Sequence, residues 1–570
     1  MFLNFRRQVE DCLSDGLEDC GYHDPELSLE KPPDDVDAGL ASATAFKLPG
    51  NPNENSDEIL ELLNPEKYEL IGEVSTQGPY INFGYNDVYL GKTLESSQAP
   101  GYPDLPERDE EVVLEHTSAN PTGPLHVGRA RNPIIGDSLA RILRKAGFDI
   151  SVDYYVNDMG RQVATITWAL HNIEEDELPE AKREKPDYDV VRYYRRANER
   201  LEGEEGEEVA EETESEIDGL LNSLEEGDRD ALEKVEEAVD TCLEGQLESL
   251  ERLGASYDNF VRESGFVLDG TVDELSKDLS DLEESYLEED AYKLDLSEFG
   301  IGKELVYLRG DGTSLYTTRD IAYHIDKFDR CDEAVNVLGE DHKLQARQLS
   351  ATLDLLGVDR SPENIFYSYV NLPEGKMSTR AGQVVNMDDL LDEAVERARR
   401  EVEDRFEERD REIGDVNLVA EKVGLGAVRY DIVSRQAEKP ITFDWEEALN
   451  FEGQHAPSIQ YVYARASGIL EKSEKEPDPE FLEVEEDEAV KVVEKVGELS
   501  DVVNESAIDR EPHRLAGYSK ELADLFNEFY RECRVHGSSN EEARLAVVNS
   551  VRKAVEASLD LIGVECPDTM

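Results

Sequence analysis

Lysine is scarce in this sequence. The chain has 570 residues and 59 basic ones, 22 of them lysine and 37 arginine, against 133 Asp and Glu, for a formal net charge of −74. A surface that has lost lysine and gained carboxylates repels itself strongly in dilute buffer. At about 1 M salt the Debye length is only ~3 Å, so the repulsion is screened and the carboxylates act mainly as hydration sites. The composition reads as that of a protein from a salt-rich cytoplasm. Disordered acidic tails fit poorly as its cause, because the acid is spread along the whole chain and 39% of residues are hydrophobic. Cysteine is rare too. Its six copies, Cys12, Cys20, Cys242, Cys331, Cys533 and Cys566, show no CxxC pair and no Cys/His ligand spacing. That argues against a disulfide framework and a structural zinc, and leaves ordinary reduced thiols. No run of about 18 apolar residues occurs, and the opening MFLNFRRQVEDCLSD lacks the apolar stretch of a signal peptide. A soluble, cytoplasmic protein is expected.

The length exceeds what one hydrophobic core serves, so three or four domains are expected. Residues 1–100 form a small N-terminal unit with an amphipathic start and the strand-like stretches YELIGEVS and GPYINFGYN. After the proline-rich connector QAPGYPDLPERDEE, VVLEH reads as a buried strand, and RNPIIGDSLARILRKAG with FDISVDYYV completes a strand–helix–strand unit. This begins an α/β domain expected over residues 107–435. Residues from about 165 to 255 are helical and very acidic, with leucines and valines at three- and four-residue steps, and read as an inserted helical subdomain. Strand and helix alternation then resumes, as the second half of a parallel sheet requires. Residues 436–570 become long helices, a separate all-α bundle broken by SEKEPDPEFLEVEEDE.

Two constellations carry chemistry. NPTGPLHVGRARN puts prolines and glycines between a strand and a helix. A helix start there presents unpaired N–H groups and a partial positive charge, which favour phosphate. His126 can donate to a phosphate oxygen, and Gly128 lets a flat base approach the backbone. Arg129, Arg131, Arg141, Arg144 and Lys145 follow, a basic stretch in an acidic chain. Taken alone, the pattern fits equally a histidine in a turn beside a basic helix face. Far downstream, LPEGKMSTRAGQVV sets Lys376 and Arg380 in a polar, hydroxyl-rich loop. Mobile cations of this kind can close over a triphosphate and stabilise charge that develops during nucleotidyl transfer. By itself it also reads as a surface loop.

In this order on an α/β sheet, PLHVGR is similar to the HIGH signature and KMSTR to the KMSKS loop of class I aminoacyl-tRNA synthetases. SANPTGPLHVG, DYYVNDMGRQ, ESGF, LYTTRDIAYHIDKF, KMSTRAGQVV, FDWEEALNFEG and SIQYVYARASGIL narrow the resemblance to the arginyl-tRNA synthetase family, over nearly the whole chain. The resemblance implies a Rossmann-like catalytic domain with a helical insertion, a small α+β N-terminal domain that recognises tRNA, and an all-α anticodon-binding bundle. It implies catalysis by His126, Gly128, Arg129, Lys376 and Arg380, with ATP held by His126, Gly128, Arg129, Lys376, Met377 and Ser378. It places Asn120, Glu263, Tyr316, Asp320 and His342 on arginine, and Asn157, Asp158 and Gln162 beside the pocket. Two carboxylates and a phenol suit a planar, permanently charged guanidinium, and Tyr316 and Asp320 share a face if a helix begins there.

The implied reaction has two steps: the arginine carboxylate attacks the α-phosphate of ATP, giving arginyl-adenylate and pyrophosphate, and a terminal ribose hydroxyl of tRNA(Arg) then attacks the activated carbonyl. Positioning and electrostatics suffice, with Mg2+ on the ATP, no zinc and no metal site of the protein's own, in a monomer that meets no membrane. This sequence departs from the family twice. Arg129 stands for the second signature histidine and Thr379 for the usual loop lysine, so charge stabilisation rests on Lys376, Arg380, Arg129 and magnesium. These departures are the whole support for a competing reading, a non-catalytic tRNA-binding paralogue. A class I synthetase for another amino acid is disfavoured, since Glu263 and Asp320 suit a cation. High salt weakens the counterion-release part of RNA binding and shifts recognition toward stacking and shape. The bundle offers Tyr461, Tyr463, Phe526, Phe529 and Tyr530 among Arg465, Arg531 and Arg534, as core or as base platforms.

Overall fold

Val112, Val113 and Leu114 form a short apolar run buried on both faces, the mark of a central strand in a parallel sheet. In the computed structural model this run is β1 (Glu111–Glu115). The structure describes every residue except 20, 23–25, 34, 35, 37, 311, 373, 374, 377–384, 410–414, 452, 454 and 480–485. β1 joins β2 (Asp149–Val156), β3 (Asn259–Arg262), β4 (Glu333–Gly339) and β5 (Glu363–Tyr367) in an all-parallel sheet of order β5-β4-β1-β2-β3. The strand order reverses between β1 and β4. In open α/β sheets the crevice at that switch point, beyond the carboxyl ends of the strands, is where ligands bind.

Helix α1 (Arg131–Lys145) connects β1 to β2 and is buried on almost all sides, every residue from Arg131 to Ala140 being covered. Between β2 and β3 lie four helices: α2 (Arg161–Asn172), α3 (Pro186–Leu201), α4 (Glu207–Glu225) and α5 (Arg229–Leu253). α5 buries Val235, Val239, Cys242, Gln246, Ser249, Leu250 and Leu253, the three- and four-residue steps of an amphipathic helix. Between β3 and β4 the chain differs from the simple alternation expected. Three short strands, Ser285–Glu288, Ala291–Leu294 and Leu305–Arg309, form an antiparallel meander before α6 (Tyr316–Arg330) returns to the sheet. A two-residue turn joins the first pair and residues 295–304, with a 3-10 turn at Ser297–Phe299, join the second; antiparallel neighbours need no crossover helix.

The N-terminal unit has an antiparallel four-stranded sheet and its own core around Phe5, Leu13, Ile81 and Phe83. It is nevertheless docked on the C-terminal bundle, whose helices are Ala456–Lys472, Asp487–Ile508, His513–Glu532 and Glu541–Asp560. Arg6 pairs with Asp501 (2.9 Å), Ser97 Oγ donates to Ser550 Oγ (2.7 Å), and the Tyr102 hydroxyl donates to the Val496 carbonyl. A second clamp ties the sheet to the bundle. Buried Arg429 donates to Asp137 Oδ2 (2.5 Å), to Leu253 O (2.6 Å) at the end of α5, and to Ile562 O (3.0 Å). Gly563 makes room for it: its φ is +68°, and a Cβ there would sit 2.1 Å from the guanidinium carbon.

Candidate active site

Four of the five parallel strands end on residues singled out in the sequence. β1 runs into the loop with Asn120, His126 and Arg129, β2 into Asn157 and Asp158, β3 into Glu263, and β4 into Glu340–His342. All therefore gather on the carboxyl edge of the sheet, around the switch point.

The loop after β1 is built by its own backbone. His126 precedes a 3-10 turn, Val127–Arg129, and its Nδ1 accepts from the Gly128 N–H (2.9 Å). An Nδ1 that accepts carries no proton, so the neutral ring holds its proton on Nε2. A Cβ on residue 128 would approach that Nδ1 to 3.0 Å, which accounts for glycine there. The second constellation is laid against this loop: Val127 N donates to Val385 O (3.1 Å) and Met387 N to Leu125 O (2.8 Å). Lys376 lies in the strand Gly375–Lys376, whose backbone pairs with Val370–Leu372. Met377, Ser378, Thr379 and Arg380 lie outside the described residues.

The basic stretch after His126 divides. Arg129 is exposed at the mouth of the cleft. Arg131 is buried and spends its guanidinium on the carbonyls of Ser368 (2.6 Å), Lys439 (2.8 Å) and Gln436 (2.8 Å), so it locks the loop instead of binding anions. Arg141 and Arg144 pair with Asp137 (2.8 Å) and Asp258 (2.5 Å) at the far end of α1, since a helix rises about 1.5 Å per residue and carries them away from the site.

A cavity of about 650 Å³ opens beside β2, β3 and α6, and Glu263, Tyr316, Asp320, His342 and Asn157 line it. α6 does begin at Tyr316, so Tyr316, Asp320, His324 and Lys327 follow one another along one face. The two carboxylates differ sharply. Glu263 is 1% exposed, and burial pushes its carboxyl up while Arg319, bonded to Oε1, pulls it down. With its amide assigned nitrogen-first, Asn157 donates to Glu263 Oε2 (2.7 Å). Asp158 holds the turn in place by accepting from Ser264 N (2.8 Å) and Ser264 Oγ (2.6 Å). Asp320 has a side chain 44% exposed and, among the described residues, no Arg or Lys within salt-bridge distance. Burial works to raise it, but His324, Lys327 and His342 outweigh burial and hold it below the usual carboxylate range. Tyr316 (60% exposed) and His342 stand at the rim.

Sequence reasoning missed several members of this cavity. Arg319, His324, Lys327 and Asn336 belong to it or to its floor; the polar stripe along α6 is the only sequence signal for the first three, and Asn336, in β4, has none. Tyr155 stacks on Tyr323 (4.6 Å) and turns a buried hydroxyl with no hydrogen-bond partner among the described residues toward the cavity. Asn120 is not in this cavity. It donates to Gln162 Oε1 (3.3 Å) and lines a second one, of about 680 Å³, with His126, Arg129, Lys182, Arg195 and Asn386. The reason is that Gln246 of α5 draws the loop toward the insertion by donating to Asn120 O (3.0 Å) and Gly123 O (2.8 Å). No carboxylate among the described residues lies within salt-bridge distance of Arg129, Lys182 or Arg195, and all three are exposed. In so acidic a protein, unpaired cations converging on one cleft make it the anion-attracting part of this edge.

In the bundle the aromatics separate into two groups. Tyr463, Phe526 and Phe529 are buried core, whereas Arg465 lies over both Tyr461 (4.7 Å) and exposed Tyr530 (4.8 Å).

Residues 97–445 match the family model described as tRNA synthetases class I (R), catalytic domain, and residues 459–570 match the DALR anticodon binding domain. The chain is 47% identical to the arginine–tRNA ligase of Halorubrum lacusprofundi and 49% identical to that of Haloarcula marismortui, each alignment covering 100% of both chains. A likeness of 43%, again over 100% of both, extends to the arginine–tRNA ligase of Methanothermobacter thermautotrophicus. Among solved structures, the arginyl-tRNA synthetase of Thermus thermophilus superposes with a TM-score of 0.81 at 28% identity, covering 99% of this chain and 100% of the other.

Proposed function

This chain belongs to the class I arginyl-tRNA synthetase family, and from that premise we propose how its two cavities divide the work. As an arginine–tRNA ligase it uses arginine, ATP and tRNA as substrates. The cavity beside α6 takes the arginine side chain. What carries this reading is the difference between its carboxylates: Glu263 is already neutralised by Arg319, so Asp320 alone offers an uncompensated charge to a guanidinium, with Tyr316 and His342 at the rim. A neutral side chain there would leave Asp320 desolvated and unpaired, which is how a site rejects the wrong substrate. Glu263 acts through Arg319 and Asn157 as well as on the ligand.

The second cavity takes polyphosphate. His126 carries its proton on Nε2, Gly128 closes the turn under the base, and Arg129, Lys182 and Arg195 supply positive charge. The resemblance alone assigns Lys376, Met377, Ser378 and Arg380 to ATP as well. Magnesium arrives bound to ATP, as part of the substrate. Asn120 sits between amino acid and phosphates, joined to Gln162. Lys182 and Arg195 come from the helical insertion, and their exposure suits the acceptor end of tRNA, which must reach the same cleft after ATP has reacted. Residues 1–100 recognise tRNA, 107–435 catalyse, and 436–570 bind the anticodon, the Tyr461–Arg465–Tyr530 stack being the surface for a base. The working form is a cytoplasmic monomer; no described helix is long and apolar enough to cross a membrane.

The test is aminoacylation of total tRNA with each of the twenty amino acids, from dilute buffer to molar potassium chloride. Charging by arginine alone, rising with salt, is the expected result. Absence of charging at every salt would restore the non-catalytic paralogue and make Arg129 and Thr379 its marks.

A further inference from the structure

Beneath Asp320 the floor of the arginine cavity is a chain of buried polar side chains from β1, β4, β5 and α6. Lys327 Nζ donates to Glu115 Oε2 (2.5 Å) and to Asn336 Oδ1 (2.7 Å). Asn336 Nδ2 lies 3.0 Å from His324 Nε2 and 3.2 Å from Asn364 Oδ1. His324 Nδ1 lies 2.8 Å from the main-chain oxygen of Asp320 and 3.3 Å from its carboxylate Oδ1. Lys327, Asn336 and His324 are 0%, 2% and 3% exposed, so these groups settle one another's protons.

The donor inventory fixes the pattern. An ammonium only donates, so the Asn336 atom facing Lys327 is its oxygen and the atom facing His324 is its amide nitrogen. The reverse orientation would set an N–H against the ammonium and an oxygen against Asn364 Oδ1. An amide nitrogen offers no lone pair, so His324 Nε2 is the acceptor and bears no proton. The ring is then neutral, with its single proton on Nδ1 and aimed at Asp320. Lysine thus sets a tautomer two side chains away.

We propose that Lys327 and Asn336 are positioning residues that hold His324 neutral in its Nδ1–H form, and that this reserves the Asp320 carboxylate for the substrate guanidinium. An imidazolium at the observed contact would pair with Asp320 and compete with substrate, and Glu263 could not substitute because Arg319 already occupies it. This inference rests on Asp320 belonging to the arginine pocket. The device is a form of indirect orientation, in which an outer group decides which ring nitrogen donates.

The test uses the full chain in molar potassium chloride. In Asn336→Asp the new carboxylate accepts from a protonated Nε2 and makes His324 a cation, so the KM for arginine rises about tenfold or more while kcat and the KM for ATP stay within about twofold. His324→Leu raises the KM for arginine as well, and His324→Asn, whose amide restores a donor at the Nδ1 position, recovers most of the loss. Nitrogen-15 spectra of histidine-labelled wild type, assigned by the signal missing from His324→Asn, give a protonated Nδ1 and an unprotonated Nε2. A proton on Nε2 of the wild type would overturn the proposal. So would an unchanged arginine KM in Asn336→Asp, provided that Asp320→Asn raises it. If Asp320→Asn leaves arginine KM unchanged, the pocket reading itself fails and the inference falls with it. Should the variants not fold, the wild-type spectrum alone decides.

Discussion

Asp320→Asn and Glu263→Gln remove one charge each from the same cavity, yet they should fail in different ways. Asp320 is the carboxylate with no permanent internal counter-ion, and 44% of its side chain is accessible. Hydrogen bonds to a charged group contribute about 1.5–3 kcal/mol, and the half-exposed setting puts Asp320 near the middle of that range. About 2 kcal/mol corresponds to about a 30-fold loss of arginine affinity. Because no partner inside the protein is stranded, the melting temperature should barely move. Glu263 and Arg319 are 1% and 8% exposed at the side chain, so the neutral amide leaves a buried guanidinium without its counter-ion. Breaking one side of such a pair costs about 3–5 kcal/mol of stability. Glu263→Gln should therefore melt several degrees lower, with lost arginine binding following from a disturbed cavity. The assay pairs steady-state aminoacylation, for the KM of arginine, with calorimetric melting in the same molar salt. Citrulline, the neutral isostere of arginine, sharpens it: Asp320→Asn should narrow the discrimination between the two, since the charge that makes it is gone. Equal melting for both variants, or an arginine KM untouched by Asp320→Asn, would refute the division of labour between the carboxylates.

Three further expectations rest on other parts of the structure. Arg129→Gln should raise the KM for ATP and Arg195→Gln the KM for tRNA, each by about tenfold, the value of one charge-assisted hydrogen bond, with the KM for arginine unmoved; an unchanged tRNA KM in Arg195→Gln would remove the insertion from the cleft. Burial pushes the His116 imidazole down to about 4, from an ordinary value near 6.5. Above pH 6.5 both folded and unfolded chains hold it neutral, and between 6.5 and 4 only the unfolded chain takes up the proton, so stability falls with acid by about 3 kcal/mol in all. In His116→Met that contribution is absent, and the stability gap from wild type measured by denaturant titration should narrow as the pH drops through this window; a constant gap would contradict it. Arg429→Met takes from buried Asp137 one of its two arginine partners, Arg141 remaining, and leaves the carbonyls of Leu253 and Ile562 without their donor, so melting should fall by the equivalent of about 1–3 kcal/mol per carbonyl without a specific change in any KM.

Much of the site could be read from local pattern. The strand VVLEH, the loop ending in His126 and the helix starting at Tyr316 are contiguous segments whose period and turn residues speak for themselves. The resemblance carried the residue assignments further than chemistry alone could, because Glu263 and Asp320 are ordinary acids in a chain with 133 of them. What stayed illegible depends on partners distant in the chain. Arg131 looked like one more cation in a basic stretch until Ser368, Gln436 and Lys439 came into contact with it. Asn120, grouped in the sequence with the arginine residues, lines the other cavity, where Gln246 of the insertion holds its loop. The antiparallel meander at residues 285–309 was too short and too polar to stand out from the alternation around it. Likewise the N-terminal unit has the composition of an independent domain, and its docking on the bundle depends on pairs such as Arg6–Asp501.

The sequence by itself determined the family, the order of strands and helices, the two loops that meet at the catalytic edge and the charge that calls for salt, because each is written in neighbouring residues or in bulk composition. Only the tertiary structure decided which carboxylate is free and which is spent, since that depends on whether an arginine arrives from elsewhere: Arg319 folds onto Glu263, and no lysine or arginine among the described residues reaches Asp320. It also decided where His324 keeps its proton, for a tautomer is set by the donors and acceptors that burial forces together, and no local pattern encodes them.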